Sequence, residues 1–183
     1  LPAVGLMILF LQVFMGIDDP NGVAKSFMSD AVFFIMGSLM LAVAIVSQGL
    51  DKRLALGIIR LTGNKTWRIV FGFVAISAFL SSFIGEHTVT AMMMPVGLTL
   101  VRNAGIDKKG TAKPAALILF SIAYGSAMGS IGTPSGGGRN VIMMSYWKDF
   151  GIVDITYLGW MKRAYPILIL EIPLAVLILW FSF

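Results

Sequence analysis

The chain has no cysteine and a single histidine among its 183 residues, and only 13% of them are charged. The absence of thiols excludes disulfides and thiolate metal centres. The scarcity of charge excludes an ordinary water-soluble domain, in which roughly a quarter of residues are charged. What fills the space instead is apolar: 57% of residues are hydrophobic and the mean hydropathy is +0.88. Acidic residues are also few, nine against 14 lysines and arginines, for a net charge of +5. That excess does not imply nucleic acid, because the basic residues stand in short clusters between apolar runs, where membrane-flanking residues belong. No Walker pattern with its lysine is present, so a phosphate-binding loop is not expected. The expectation is an all-α integral membrane protein that crosses the bilayer several times. It opens on Leu1 and both begins and ends inside apolar segments, as an excerpt of a longer chain would.

The most informative apolar run is Ile69 to Val101, 33 residues between Arg68 and Arg102 in which Glu86 is the only acidic or basic side chain apart from the neighbouring His87. One crossing takes ~20 apolar residues, and two crossings with a turn take more than ~40. The length therefore predicts a re-entrant helical hairpin over 67–102: two half-length helices that enter and leave on one side. Its polar tip is Ser81, Ser82, then Gly85, Glu86, His87, Thr88 and Thr90. Backbone that is not helical at such depth is tolerated only against protein or a water-filled cavity.

The remaining segments are arranged around it. An apolar span over 1–17 is expected to stop at Asp18, Asp19, Pro20, Asn21 and Gly22, with a polar connection to Asp30. A second span over 31–49 has Ser29 or Asp30 as its N-cap and Gly49 as its stop. Residues 50–62 set Leu50, Leu54, Ile58 and Leu61 on one face and Lys52, Arg53 and Arg60 elsewhere, the pattern of a helix lying on the membrane surface. After a short basic loop, residues 114–147 hold a glycine-rich stretch with Gly132, Thr133, Pro134, Gly136, Gly137, Gly138, Arg139 and Asn140. Glycine weakens a helix and proline removes a donor, so this segment is expected to be a crossing broken into two half-helices. A last span covers 165–183, with Glu171 and Pro173 inside it. Orientation follows from Lys52, Arg53, Arg60, Lys65, Arg68, Arg102, Lys108, Lys109 and Lys113 on the cytoplasmic side, against Lys25, Lys148, Lys162 and Arg163 outside.

Two interrupted membrane segments in succession are what a secondary transporter's site requires: half-helix N-termini, here expected from Val89 and Asn140, offer partial positive charge to an anion, and unwound carbonyls can hold a cation. With Thr88, Val89, Thr90, Ala91, Met92, Met93, Met94 and Pro95 at one interruption and Gly132, Thr133 and Pro134 at the other, the chain resembles the divalent anion/sodium symporters. That family carries dicarboxylates, citrate or sulfate, and it lies within a superfamily that includes arsenite and sodium/proton carriers. The resemblance covers nearly the whole chain. In the family the tip reads serine, asparagine, threonine, then a small residue and threonine, and the broken helix reads threonine, proline, proline, asparagine. Thr88 and Thr90 match the tip, Ser82 a serine one turn before it, and Thr133, Pro134 and Asn140 the link.

The resemblance implies a cation-coupled symporter of small anions. It places substrate on Thr88, Thr90, Thr133, Pro134 and Asn140, and the coupling ion, sodium or a proton, at Ser82 and Gly132; this chain's own Arg139 stands near the anion position, and Glu86 and His87 stand at the cation position. It also implies one of two inverted repeats, with the second repeat elsewhere in the parent chain, and assembly as a homodimer in a bacterial inner or plasma membrane. No further cofactor is expected. The chain departs from the pattern where Glu86 and His87 replace serine and asparagine, and where Ser135 to Arg139 are inserted before Asn140. An ionised carboxylate in a membrane is costly unless paired, so Glu86 is expected to pair with Arg139 or His87, or to carry the coupling proton. Other readings are an exchange or proton-coupled carrier, an arsenite or other ion transporter, a channel with a glycine-rich filter, and an intramembrane serine protease using Ser126 or Ser130 with His87. The protease reading lacks the compact Gly-x-Ser-Gly context. Ser126, Ser130 and the glycines also suit close helix packing, and Met92 to Met94 suit packing better than a metal.

Overall fold

A computed structural model describes residues 2–49, 53, 57, 65–103 and 112–183. Among these, regular structure is entirely helical: α1 Pro2–Phe14, α2 Pro20–Phe27, α3 Asp30–Ser47, α4 Thr66–Ile84, α5 Glu86–Asn103, α6 Ala112–Gly129, a 3-10 turn Pro134–Gly136, α7 Gly138–Asp149 and α8 Tyr157–Ser182. The surface helix expected over 50–62 falls, apart from 53 and 57, outside the described residues, as does most of the basic loop after α5.

Local chemistry explains where the helices begin and end. Gly16, with φ of 66°, closes α1 in a Schellman motif, its N–H on the Val13 carbonyl and that of Ile17 on the Gln12 carbonyl. Pro20 does not merely end the first span. It starts α2, because the Asp19 carboxylate accepts from the Gly22 N–H at 2.9 Å and a proline at the first helical position lacks only a donor that has no partner there. The expected polar connection is therefore largely a helix. At the other end of the chain α8 begins at Tyr157, eight residues before the expected span, with the Thr156 hydroxyl accepting from the Gly159 N–H. Lys162 and Arg163, read as a flank, lie inside this helix, as do Pro166 and Pro173.

The core is built by α4, α5 and α6, and the residue pairings fix their directions. Gly125 of α6 lies on Val74 and Ser77, and Gly129 on Ala78, so α4 and α6 run parallel. Thr90 of α5 reaches Ser126 while Gly97 lies on Ile118 and Ile122, so α5 runs opposite to both. The chain thus doubles back at Gly85. Ile76, Leu80 and Ile84 of α4, Val89, Met93 and Val101 of α5, and Ile118 and Ile122 of α6 form one buried cluster. Thr66, Lys113, Pro114 and Phe183 surround one cavity, which gathers the start of α4, the start of α6 and the end of α8 at one end of the bundle. The end of α5 joins them through Val101, packed in the cluster that Ala115 flanks.

The two hairpin helices are not half-length. With 19 and 18 residues they are about 28 and 27 Å long at 1.5 Å per residue, because a single residue, Gly85, makes the link and the rest is helix. Around the core, α1, α3 and α8 expose many large apolar side chains, among them Phe10, Phe14, Leu41, Leu170, Leu174 and Phe181. A surface this apolar belongs against lipid rather than water. Among the described residues three stretches are long and apolar enough to cross a bilayer: Pro20–Leu41, Thr66–Ile84 and Tyr157–Ser182.

Candidate functional site

The tip of the hairpin and the break between α6 and α7 meet. Gly85 takes φ of 93°, a region that side chains strain to occupy, and its N–H ends α4 on the Ser81 carbonyl. At Gly136 a Cβ would come within 2.6 Å of the Ser82 carbonyl and 2.8 Å of those of Ser130 and Ser81. The break therefore packs backbone against backbone, which only glycine permits.

Beneath this contact lies a buried layer of hydroxyls and one amide. The Ser81 hydroxyl donates to the Ser126 carbonyl at 2.5 Å, and Ser82 lies 2.9 Å from the Gly129 carbonyl and 3.0 Å from that of Ala78. Thr133 donates to the Ser82 carbonyl. The Asn140 amide donates both its hydrogens, to the carbonyls of Ser130 and Thr133, at 2.8 Å each. Unwinding a helix leaves carbonyls that its own backbone no longer satisfies, and burial makes that costly. These side chains supply the missing donors. Ser82, Thr133 and Asn140 are all buried, and Gly132 is confined by the Ser82 hydroxyl, 2.5 Å from where its Cβ would lie. Thr90 is engaged with the Ser126 hydroxyl at 2.5 Å. Of the residues expected to meet substrate or cation, these five are therefore occupied in holding the two breaks together.

Above the layer opens a cavity of about 480 Å³, walled by residues 84–88 of the tip, 134–139 of the break with Ile142, and Ile35, Ser38 and Leu39 of α3. Both helix starts border it. Helix α5 begins at Glu86 and α7 at Gly138, three residues before and two residues before the expected Val89 and Asn140. Thr88 and Pro134 are in its wall. The Arg139 guanidinium donates to the Glu86 carboxylate at 2.8 Å and to the Ser130 hydroxyl at 3.2 Å. The other Glu86 oxygen lies 3.5 Å from the His87 ring, whose side chain is 96% exposed against 24% for Glu86. Both partners foreseen for Glu86 are thus in place. The partial positive charge at each helix start, about half an elementary charge, adds to Arg139, so the cavity offers more positive than negative charge and suits an anion.

Three residues outside the expected substrate and cation sets join the break to α8. Ser135 bridges the Thr133 hydroxyl and the Tyr157 hydroxyl, each at 2.9 Å, and the Trp160 indole donates to the Ile131 carbonyl at 2.8 Å. They tie the start of α8 to the break. In the sequence only the polar character of Ser135 hints at this, since Tyr157 and Trp160 precede the span expected over 165–183.

A family model described as citrate transporter matches residues 1–183. The chain belongs to the citrate transporter family. It is 31% identical over 184 residues to the sodium-dependent high-affinity dicarboxylate transporter 3 of Caenorhabditis elegans, covering 93% of this chain and 32% of that protein. It is 28% identical over 173 residues to the sodium-dependent dicarboxylate transporter SdcS of Staphylococcus saprophyticus, covering 91% of this chain and 33% of that one. The SdcS of Staphylococcus aureus is similar at 28% over 174 residues, with 91% and 33% covered. The chain thus spans about a third of the length of these relatives. It is a multi-pass membrane protein of a transporter family, and the protease reading falls with that membership. The candidate serines are otherwise engaged: Ser126 bonds to the Ala123 carbonyl and Thr90, and Ser130 to the Ala127 carbonyl and Arg139.

Proposed function

We propose that this chain is part of a cation-coupled secondary transporter of small carboxylate anions, and that the anion is held in the cavity between the starts of α5 and α7. The observation that carries this reading is the convergence of Arg139, Thr88 and two helix N-termini on one cavity of about 480 Å³. In this reading Arg139 and Thr88 face the anion, while Thr90, Thr133, Pro134, Asn140, Ser82 and Gly132 keep the cavity's floor in shape. The α4–α5 hairpin is re-entrant, and a second, inverted repeat elsewhere in the parent chain completes the transport unit, which works as a homodimer. Relatives named as sodium-dependent dicarboxylate transporters support sodium as the coupling ion and dicarboxylates as substrates. A second reading couples transport to protons through Glu86 and His87, which stand 3.5 Å apart at the hairpin tip.

The test is uptake of labelled succinate, citrate and sulfate by the full-length protein in liposomes, under sodium and proton gradients imposed separately. Thr88→Ala is expected to reduce affinity for the anion by roughly ten- to a hundredfold, since a hydrogen bond to a charged group contributes about 1.5–3 kcal/mol. Uptake that ignores both gradients, or is indifferent to Thr88→Ala and Arg139→Gln, would sink the reading.

A further inference from the structure

Arg139 is the second residue of α7, an unfavourable place for a cation, because the helix start already carries partial positive charge. An anion beside it relieves that cost, and the anion there is the carboxylate of Glu86, 2.8 Å away and itself the first residue of α5. A carboxylate from the chain thus occupies the position between two helix starts and a guanidinium that suits a carboxylate from outside. We infer that Glu86 is a tethered competitor for the substrate: its carboxylate holds Arg139 in the empty site, and a carboxylate or oxyanion substrate binds by displacing it. This inference deepens the anion-site reading given above and rests on it.

Charge arithmetic supports displacement over joint occupancy. Two helix starts at about half a charge each, with Arg139, sum to roughly two positive charges. Glu86 on Arg139 leaves about one uncompensated, enough for a single negative group. A substrate with two negative charges is matched only when Glu86 withdraws or is neutralised. The withdrawn side chain has somewhere to go: its second oxygen already faces the His87 ring at 3.5 Å, on the exposed side of the tip. The third wall of the cavity, Ile35, Ser38 and Leu39 of α3, brings no charge, so Arg139 and His87 are the charged or titratable groups that face Glu86 among the described residues. The pair is also accessible to exchange, since the Arg139 side chain is 68% exposed.

A site that is blocked for part of the time binds more weakly by the fraction that is open. Equilibrium binding of labelled succinate, citrate and sulfate to the purified full-length protein, at fixed sodium, measures this. Glu86→Gln keeps the shape of the side chain and removes the charge, and it is expected to tighten binding by roughly three- to tenfold, as for a pair closed most of the time. Glu86→Asp, which shortens the reach to Arg139, is expected to fall between Gln and the wild type, and it answers the question if Glu86→Gln shows no cooperative melting transition. Arg139→Gln is expected to weaken binding by at least about tenfold, having removed the charge-assisted bond. If both Glu86 variants weaken binding, or leave it unchanged, while Arg139→Gln still weakens it by about tenfold or more, the competitor is disproved and the anion site stands. If Arg139→Gln and Thr88→Ala bind as the wild type does, the anion site itself is wrong, and the competitor with it.

Discussion

Asn140 separates the two tasks a polar residue can have at a broken helix. The sequence pattern offers it as a donor to substrate, but both amide hydrogens are spent on the Ser130 and Thr133 carbonyls and the residue is buried. Replacing it by alanine strands those two carbonyls, and a buried acceptor left without a donor costs about 1–3 kcal/mol. Asn140→Ala is therefore expected to lower the melting temperature of the detergent-solubilised protein. The fraction that folds is expected to bind succinate with unchanged affinity, whereas Thr88→Ala weakens binding and leaves melting nearly alone. The opposite assignment, affinity lost at Asn140 with melting intact, is what equilibrium binding and a thermal melt on the same samples would expose. Residue identity made Asn140 stand out in the sequence, but its role depends on carbonyls seven and ten residues back that become its partners only once the chain has broken and turned. The Glu86–Arg139 pair was easier to foresee, although the two are 53 residues apart, because a charge inside a membrane needs an opposite one and few were available.

At the scale of helices, glycine spacing decides how close α6 comes to α4. A Cβ on Gly129 would lie 2.1 Å from the Ala78 carbonyl oxygen and 2.4 Å from its Cα, and one on Gly125 would lie 2.6 Å from the Val74 carbonyl oxygen. These are backbone atoms that cannot swing aside, so Gly129→Ala must push the two helices apart. Overpacking of this kind typically costs 1–3 kcal/mol, occasionally more; here the separation also pulls Ser82 from the Gly129 carbonyl and Ser81 from that of Ser126. Gly129→Ala is expected to reduce folded protein, judged by monodisperse recovery in gel filtration, and Gly37→Ala, with nothing within 4 Å of its added Cβ, to be recovered as the wild type is. Such helices were legible where apolar runs were interrupted by residues that forbid a helix: the breaks at Gly85 and at 130–137 both fall inside the stretches picked out from glycine, proline and polar content. Helix starts were less legible. Proline ends helices, and Pro20 suggests a stop, yet the aspartate before it makes it a start. Lys162 and Arg163 stand just before the span expected over 165–183, yet a charged pair does not interrupt a helix that Thr156 has already capped.

For the molecule as a whole, the question is how far the hairpin reaches into the bilayer. Its helices are long enough to cross, about 27–28 Å each, so length alone no longer distinguishes a re-entrant hairpin from two crossings, and both return the chain to the side it left. What distinguishes them is the surroundings of the tip. Gly85 lies against the Gly136 carbonyl, and Ser81, Ser82 and Ile84 behind it are buried, so in a re-entrant hairpin the tip is enclosed by the break and by the remainder of the transporter. It then meets water only when the cavity opens to that side. The start of α4, the end of α5 and the start of α6 stand together at the other end, where Arg68, Arg102 and Lys113 lie. The chain has no cysteine of its own, so single introduced thiols report cleanly on this segment once any others in the full-length protein are removed. Arg68→Cys and Arg102→Cys are expected to react with a membrane-impermeant maleimide from the cytoplasmic face only. His87→Cys, whose side chain points away from the buried layer, is expected to react from outside in the absence of substrate and to be protected when saturating succinate and sodium are present. Reaction of His87→Cys from outside at one unvarying rate, with or without substrate, would instead mean two complete crossings with the tip standing free in the outer medium.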